Sequence, residues 1–162
     1  MNLFVSADQW LVAITVLLLL FAALEDGWRS RISNVFSGGV ALAAFAAIAL
    51  DGPIIGLWQN ILLFAAVLVV GTMLFARGVM GGGDIKLMAA SALWFDLSSG
   101  WKLLVAIAIA GGLEALIVLA LRQIIWPAEL SSRFALLRRR EGIPYGIAIA
   151  AGVILMAWWQ RA

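Results

Sequence analysis

The sequence predicts an all-α protein, a polytopic membrane helical bundle of about six transmembrane helices with one cytoplasmic interfacial helix. Three observations predict this fold class. Of the 162 residues, 65% are hydrophobic and 12% are charged, with a mean hydropathy of +1.08, whereas soluble domains are nearer half apolar and a quarter charged. The apolar residues form six runs separated by polar turns, and the cationic residues cluster on alternate turns. The length suits a single membrane domain over residues 1–162.

The six apolar runs define the predicted spans, because a helix needs about 20 apolar residues to cross the hydrocarbon core. The runs cover residues 9–25, 35–50, 54–75, 84–96, 101–125 and 143–160. We expect the first to be a retained span, since no small-residue cleavage site precedes a polar region as in a signal peptide. The fourth is too short to cross on its apolar part alone, so we expect it either to recruit the glycines before it or to lie beside a thinned or hydrated region of the membrane.

The cationic residues predict the orientation, since cytoplasmic loops carry the excess of Lys and Arg. One face receives nine of them: Arg29, Arg31, Arg77, Lys86, Arg122, Arg133, Arg138, Arg139 and Arg140. The other face receives only Lys102 and Arg161. The first face is therefore predicted to be cytoplasmic, with both termini outside. All eight tryptophans fall near predicted span ends, where an aromatic belt is expected.

The only substantial loop covers residues 126–142, on the predicted cytoplasmic face. Pro127 suits the first turn of a helix, and Leu130, Phe134 and Leu137 recur at helical spacing. This pattern favours an interfacial helix that lies on anionic headgroups. The alternative is a docking surface for a substrate.

The chain contains no cysteine and no histidine. Their absence excludes thiol nucleophiles, disulfides, haem and iron–sulfur ligation by cysteine or histidine, and the common zinc sites. It also excludes a Ser-His-Asp triad. We therefore expect no metal and no cofactor, and no feature indicates nucleic-acid binding. Acid–base chemistry is left to Asp, Glu, Lys or the single tyrosine, Tyr145.

Two aspartates from different spans are predicted to lie at the same depth. Asp26 ends the first span and Asp84 begins the fourth, both on the cytoplasmic side. Two neighbouring carboxylates in low dielectric share a proton, because both cannot ionise cheaply. Such a pair can activate a water with one member and polarise a carbonyl with the other. The alternatives are that Asp84 caps its helix and that Asp26 pairs with Arg29 one turn away.

Three glycines, Gly81, Gly82 and Gly83, precede Asp84. Each weakens a helix by about 1 kcal/mol relative to Ala. A run of them allows close backbone approach or opens an edge on which a peptide strand can bind. The alternative is a flexible turn between spans.

Three motifs carry a resemblance to a known family. "GGGD" at 81–84 resembles the Gly-x-Gly-Asp signature of intramembrane aspartyl proteases, and the following "IKLMAA" resembles its continuation in type IV prepilin peptidases. "DGWRSRISN" at 26–34 resembles that family's first aspartate motif, with Ser33 where the family usually has Pro. "IPYGIAIAAG" at 143–152 resembles its Pro-Tyr-Gly segment. The motifs occur in the family's order and extend over nearly the whole chain.

The resemblance implies that Asp26 and Asp84 are the catalytic pair. It implies removal of the leader peptide from prepilin or pseudopilin substrates at the cytoplasmic edge of the bacterial inner membrane, with membrane lipid as the other partner. Long family members carry a cysteine-rich insertion and also methylate the new N-terminus. The absence of cysteine makes this chain resemble the short form that serves Flp-type pili, and argues against methyltransferase activity.

Further residues are expected to bind substrate or support the pair: Gly81, Gly82, Gly83, Lys86, Asn34, Pro144, Tyr145 and Gly146. Lys86 either influences a carboxylate or a substrate acid, or snorkels to the interface. Asn34 either orients backbone or caps the second span, and Tyr145 lies either near the aspartates or in the belt.

Two glutamates fall outside these motifs. Glu25 is expected to face the lipid headgroups, because it points about 100° away from Asp26 on a helix. Glu114 falls in the middle of the fifth span, where we expect it to be protonated or hydrogen-bonded to a neighbouring helix.

Two other functions are compatible with these patterns. A small membrane transporter or channel also uses glycine-interrupted helices and buried acids, although the two aspartates lie at one membrane edge and no internal repeat is evident. A non-catalytic scaffold of pilus assembly would need neither carboxylate.

Overall fold

The computed structural model describes residues 2–51, 56–124, 126–127, 129–130, 134–138 and 142–161. Within them the chain forms seven α-helices and a single-turn 3-10 helix at Ala135–Leu137, and no strand. The α-helices are α1 (Leu3–Ser6), α2 (Gln9–Arg29), α3 (Asn34–Asp51), α4 (Leu57–Ala76), α5 (Gly82–Ala92), α6 (Leu97–Gln123) and α7 (Tyr145–Arg161). Helices α2 to α7 correspond in order to the six apolar runs, so the all-α bundle is confirmed.

Three of the helices, α2, α4 and α6, are long and apolar enough to cross a membrane, and α3 is a shorter apolar helix over Asn34–Leu50. The fold is thus that of a helical membrane protein. Helix α5 has 11 residues, which at 1.5 Å per residue gives about 16 Å, roughly half of the hydrocarbon thickness. It begins at Gly82 and so includes two of the three glycines, as the sequence led us to expect.

Helix α5 can be short because protein surrounds it. It packs against α3, α4 and α7, and its residues Leu87 and Ala89–Ala92 are buried. The Asn60 side chain of α4 donates a 2.9 Å hydrogen bond to the carbonyl of Leu93, just past the end of α5. Backbone that ends within a membrane is tolerated where protein satisfies its polar groups.

Helices α6 and α7 pack closely against each other. A Cβ atom built on Gly152 would lie 2.8 Å from the backbone nitrogen of Ile107, so only glycine allows this approach. Further along the same contact, Gly111 of α6 faces Tyr145 and Ala148 of α7. The first turn of α7 is therefore held against the middle of α6.

One end of the bundle, here called the aromatic end, is closed by Phe4, Trp94 and Phe95. The Phe4 ring lies 4.7 Å from that of Trp94 and 5.2 Å from that of Phe95, measured between centroids. All three side chains are fully buried, and the Trp94 indole donates to the Val40 carbonyl. The assignment of Trp94 to an interfacial belt is therefore wrong, because the short helix α1, which no sequence pattern indicated, covers it.

The loop 126–142 is only partly described. The Phe134 ring stacks on Trp28 of α2 at 5.6 Å, and the Arg122 guanidinium donates to the carbonyls of Leu136 and Gly142. The described residues of the loop include Glu129 and Leu130, which are helical, and the 3-10 turn. The rest of the expected interfacial helix at residues 128, 131–133 and 139–141 lies outside the described part.

Candidate functional site

A cavity of about 600 Å³ opens at the end of the bundle opposite the aromatic end. We call it the cleft, and this end of the bundle the cleft end. It lies between the C-terminus of α2, the turn at residues 30–33, the start of α3 and the start of α5. Its lining consists of Glu25, Asp26, Arg29, Ser30, Arg31, Ile32, Ser33, Asn34, Gly81, Gly82, Gly83, Asp84 and Lys86. Both aspartates singled out from the sequence therefore border one space.

Asp26 lies in the last turn of α2 and is 4% exposed. Its Oδ2 atom accepts a 2.7 Å hydrogen bond from the backbone N–H of Gly146, the second residue of α7. The first amides of a helix have no partner within the helix, and its N-terminus favours a negative group. The start of α7 is thus fastened to the Asp26 carboxyl.

Asp84 is the third residue of α5 and is half-buried. Its carboxyl group lies close to Gly81, the N-cap residue, because a Cβ atom built on Gly81 would be 2.7 Å from Oδ2 of Asp84. Asp84 thus occupies the first turn of α5, where an acidic side chain interacts favourably with the free amides of a helix N-terminus. The same carboxyl group lines the cleft and interacts electrostatically with Asp26.

The glycines around the cleft allow close packing. A Cβ atom on Gly83 would lie 3.1 Å from the Cβ of Ile32, and one on Gly81 would lie 2.7 Å from Oδ2 of Asp84. A Cβ atom on Gly146 would lie 2.8 Å both from Oδ2 of Asp26 and from Cδ1 of Ile32. Gly82 differs, since its nearest neighbours belong to the Phe75 ring at ordinary contact distance, 3.5 Å or more.

Ile32 is the residue around which these glycines pack. It is 7% exposed in a turn whose neighbours Arg31 and Ser33 are polar. Its contacts with Gly83 and Gly146 join the starts of α5 and α7. An apolar residue inside an otherwise polar turn was the signal that could have identified it from sequence.

The turn at residues 30–33 reverses the chain after α2. Ser30 adopts the left-handed conformation, with φ 49° and ψ 41°, and its N–H donates to the Asp26 carbonyl at 2.7 Å. A residue in this conformation is a common way to end a helix, although glycine is the usual choice. The reversal returns Ile32 and Asn34 to the cleft.

Glu25 also stabilises the turn at residues 30–33. Its Oε2 atom accepts a 2.7 Å hydrogen bond from the N–H of Ser33, and its Oε1 atom lies 3.7 Å from Nη1 of Arg29. Arg29 thus pairs with Glu25, and the alternative pairing with Asp26 is wrong. The expectation that Glu25 faces the headgroups is also wrong. Proline, the usual residue of the resembled motif at position 33, has no N–H and would not make this bond.

Lys86 and Asn34 form one contact across the rim of the cleft. The Lys86 ammonium donates a 3.0 Å hydrogen bond to Oδ1 of Asn34, which links α5 to α3. Both side chains are exposed. Two residues chosen separately from the sequence are thus partners.

The residues at the start of α7 make different contacts. Gly146 contacts Asp26, and Pro144 is buried with its carbonyl 3.3 Å from the N–H of Ile147. The Tyr145 ring instead faces Gly111 of α6 and does not line the cleft.

Glu114 lies on the buried face of α6 and is 8% exposed. Neither of its carboxyl oxygens has a hydrogen-bond partner among the described residues. It does not line the cleft. In the described part of the chain, no three acidic side chains are grouped closely enough to hold a metal ion.

Comparison with known proteins gives one match. A family model described as the type IV leader peptidase family matches residues 13–125. This segment is more than half of the chain, and it includes both aspartates and the glycines at 81–83. It ends before α7, which supplies the amide bonded to Asp26. No curated protein and no solved structure matched the chain.

Proposed function

The chain belongs to the type IV leader peptidase family, and from this membership we propose that it is an intramembrane aspartyl endopeptidase that removes the leader peptide of Flp-type prepilins. Asp26 and Asp84 are the proposed catalytic residues, acting on one water molecule. Prepilins or pseudopilins are the proposed substrates.

The observation that carries the proposal is that the carboxyl groups of Asp26 and Asp84, from two separate helices, border the same cleft. The backbone N–H of Gly146 fixes the Asp26 side chain, and Asp84 lies beside Gly81 at the start of α5. Fixed orientation of the reacting groups is a major source of rate enhancement. The cleft is also open enough to admit a peptide segment.

The proposed reaction needs one ionised and one protonated carboxyl group. The ionised group takes a proton from water as the water oxygen bonds to the scissile carbonyl carbon. The protonated group gives its proton to the carbonyl oxygen, which yields a gem-diol. The first group then returns its proton to the amide nitrogen as the C–N bond breaks, and the second recovers a proton from the diol hydroxyl. The products are a carboxylic acid and an amine, and the pair regains its starting protonation.

The charge pattern supports an orientation in which the cleft faces the cytoplasm. Arg29, Arg31 and Lys86 line it, and Lys and Arg are concentrated on cytoplasmic faces. The bacterial inner membrane is the proposed location, with both termini outside.

The test is cleavage of a purified Flp-type prepilin by the protein in lipid nanodiscs, with products identified by mass spectrometry. We expect Asp26→Asn and Asp84→Asn each to reduce the cleavage rate by at least about 10³-fold, the order of loss seen when one member of a catalytic unit is removed. Asp8→Asn is the matched control, because it removes one exposed carboxylate at the aromatic end.

Wild-type cleavage rates in both Asn variants would refute the catalytic pair. If the wild-type protein supports pilus assembly but cleaves nothing, and both variants do the same, the chain is a scaffold. Ion flux into liposomes that depends on Asp84 would favour the transporter instead. Parallel assays with a pseudopilin and with a prepilin of another pilus type test the Flp-type preference, which predicts the fastest cleavage for the Flp-type substrate.

A further inference from the structure

Glu114 is the buried acid that the proposed chemistry does not use. It is 8% exposed, on the same face of α6 as the buried residues Gly111 and Val118. Both carboxyl oxygens are without a hydrogen-bond partner among the described residues. An unsatisfied buried polar group destabilises the fold, so its presence in an apolar helix calls for a functional explanation.

Glu114 lies opposite the first turn of α7. Gly111, one turn before it on α6, faces Tyr145 and Ala148. Because the two helices run antiparallel, with Gly152 against Ile107, Glu114 is opposite the very start of α7. The backbone N–H of Ala148 is near enough to interact with the Glu114 carboxyl group, although it falls short of the geometry of a hydrogen bond.

The same turn of α7 carries Gly146, whose N–H binds Asp26. Two acidic side chains, from α2 and α6, thus approach one helix N-terminus. Free amides and the helix dipole both favour negative groups there. Glu114 also interacts electrostatically with Asp26 and Asp84.

We infer that Glu114 is a positioning residue of the same site, which acts from α6 through the first turn of α7 on the Asp26 carboxyl group. The inference rests on the proposed function, because it assigns Glu114 to the proposed Asp26–Asp84 pair. Glu114 touches no substrate, since it does not line the cleft. Its contribution is to hold the turn that presents the Gly146 amide.

The charged and titratable groups around Glu114 come from several helices. Asp26 of α2 and Asp84 of α5 interact with it electrostatically, and Tyr145 lies on the facing turn of α7. Arg122, two turns along α6, donates to the carbonyls of Leu136 and Gly142. Helix α4, which also packs on α6, contains no titratable residue.

The test compares Glu114→Gln with Glu114→Asp and with Val118→Ala, all in nanodiscs. Val118 is buried on the same face one turn further on, and its truncation changes packing without changing charge. For Glu114→Gln we expect kcat to fall by about 10-fold to 10²-fold, the range for a small misplacement of a reacting group, with KM within about 2-fold. We expect the pH profile of kcat to shift to lower pH, because a neighbouring group that becomes negative on ionisation no longer raises the pKa of the pair. Glu114→Asp is expected to restore the profile, and Val118→Ala to leave it unchanged.

A second measurement does not depend on cleavage. The NMR chemical shift of the Gly146 amide, followed across pH in the wild-type protein, reports the titration of the carboxyl group bound to it. We expect Glu114→Gln to change this titration and Val118→Ala to leave it as in the wild type. An unchanged Gly146 titration together with an unchanged kcat profile would overturn the inference, as would a profile altered equally by Val118→Ala. If the wild-type protein cleaves no prepilin while the Gly146 titration responds to Glu114→Gln, the proposed function fails and the coupling stands.

Discussion

At the aromatic end, three rings pack with centroids 4.7 and 5.2 Å apart and no exposed surface, whereas at the cleft end two aspartates and three glycines border about 600 Å³ of open space. Chain termini close the first region: the Arg161 guanidinium donates to the carbonyls of Phe4 and Ala7. Turns and helix starts build the second. The difference indicates that stability is concentrated at one end, which leaves the other free to hold buried acids and an open cavity.

If this division is correct, damage at the cleft end reduces activity more than stability, and damage at the aromatic end reduces stability more than activity. Stability and activity commonly trade against each other in this way, because sites keep strained or unsatisfied groups. Each of the following substitutions tests the division at one end.

Among the substitutions that test the division, the largest effect on activity is expected for Gly146→Ala. The new methyl group would lie 2.8 Å from Oδ2 of Asp26 and from Cδ1 of Ile32, so the Asp26–Gly146 hydrogen bond must lengthen or break. We expect cleavage to fall by about 10²-fold and the free energy of unfolding to fall by about 1–3 kcal/mol, as in overpacked sites. Prepilin cleavage and thermal unfolding of the same preparation measure the two effects.

The control for this substitution is Gly112→Ala on α6, where a Cβ atom meets nothing within 4 Å. It is expected to keep wild-type cleavage and to gain up to about 1 kcal/mol from helix propensity. Wild-type activity in Gly146→Ala would mean that the amide contact with Asp26 is dispensable.

The largest effect on stability is expected for Phe4→Ala. Removing a fully buried ring that contacts Trp94 and Phe95 should cost about 3–5 kcal/mol. The protein that remains folded should keep its cleavage rate and pH profile, because Phe4 is at the end opposite the cleft. Unfolding measured in nanodiscs, with cleavage assayed below the unfolding transition, checks this. A changed pH profile would show that the two ends are coupled.

The smallest effect concerns Asp96, the N-cap residue of α6 at the aromatic end. Partial burial opposes its ionisation, but hydrogen bonds from Ser99 and Ser98 outweigh this and lower its pKa to about 2. A lowered pKa in the folded state stabilises the fold above the ordinary pKa near 4, and this contribution is lost as the pH falls toward 2. Asp96→Ala should therefore lower the free energy of unfolding by about 1 kcal/mol at pH 6, and by less near pH 2.

Asp96→Asn is the control for the cap, because Asn caps helices about as well as Asp without titrating. It should remain close to wild type at pH 6 and lack the pH dependence that the Asp96 cap contributes. If Asp96→Ala lowered the free energy of unfolding equally at pH 6 and pH 2, the ionised Asp96 carboxylate would not be the stabilising cap.

The sequence predicted most of the helices well because their apolar runs are long and have polar ends. Helix α5 was the weakest of them, and it is held by neighbours such as Asn60 that no local pattern reveals. The two aspartates were found as a pair because motifs and depth along the spans can be counted. Helix α1 was missed, since four residues carry no periodic signal, and Trp94 was misassigned as a result.

The details of the cleft depend on contacts between residues distant in sequence. Gly146 was expected to support the site, but its bond to Asp26 joins positions 120 residues apart, and no spacing rule predicts such a contact. Glu25 was expected to point about 100° away from Asp26 and to face the lipid headgroups, because a helix projection takes no account of the chain reversal after Arg29. That reversal brings the Ser33 amide back to Glu25.

The contact between the two chain ends has a consequence for topology. The Asn2 side chain donates to Gln160, and Arg161 donates to the carbonyls of Phe4 and Ala7. These bonds hold the first residues of the described chain beside its last ones. A short linker could join these ends without moving a helix. A circular permutant opened in another loop would insert its helices into the membrane in a new order. It would test whether the final packing of the helices depends on the order in which they insert.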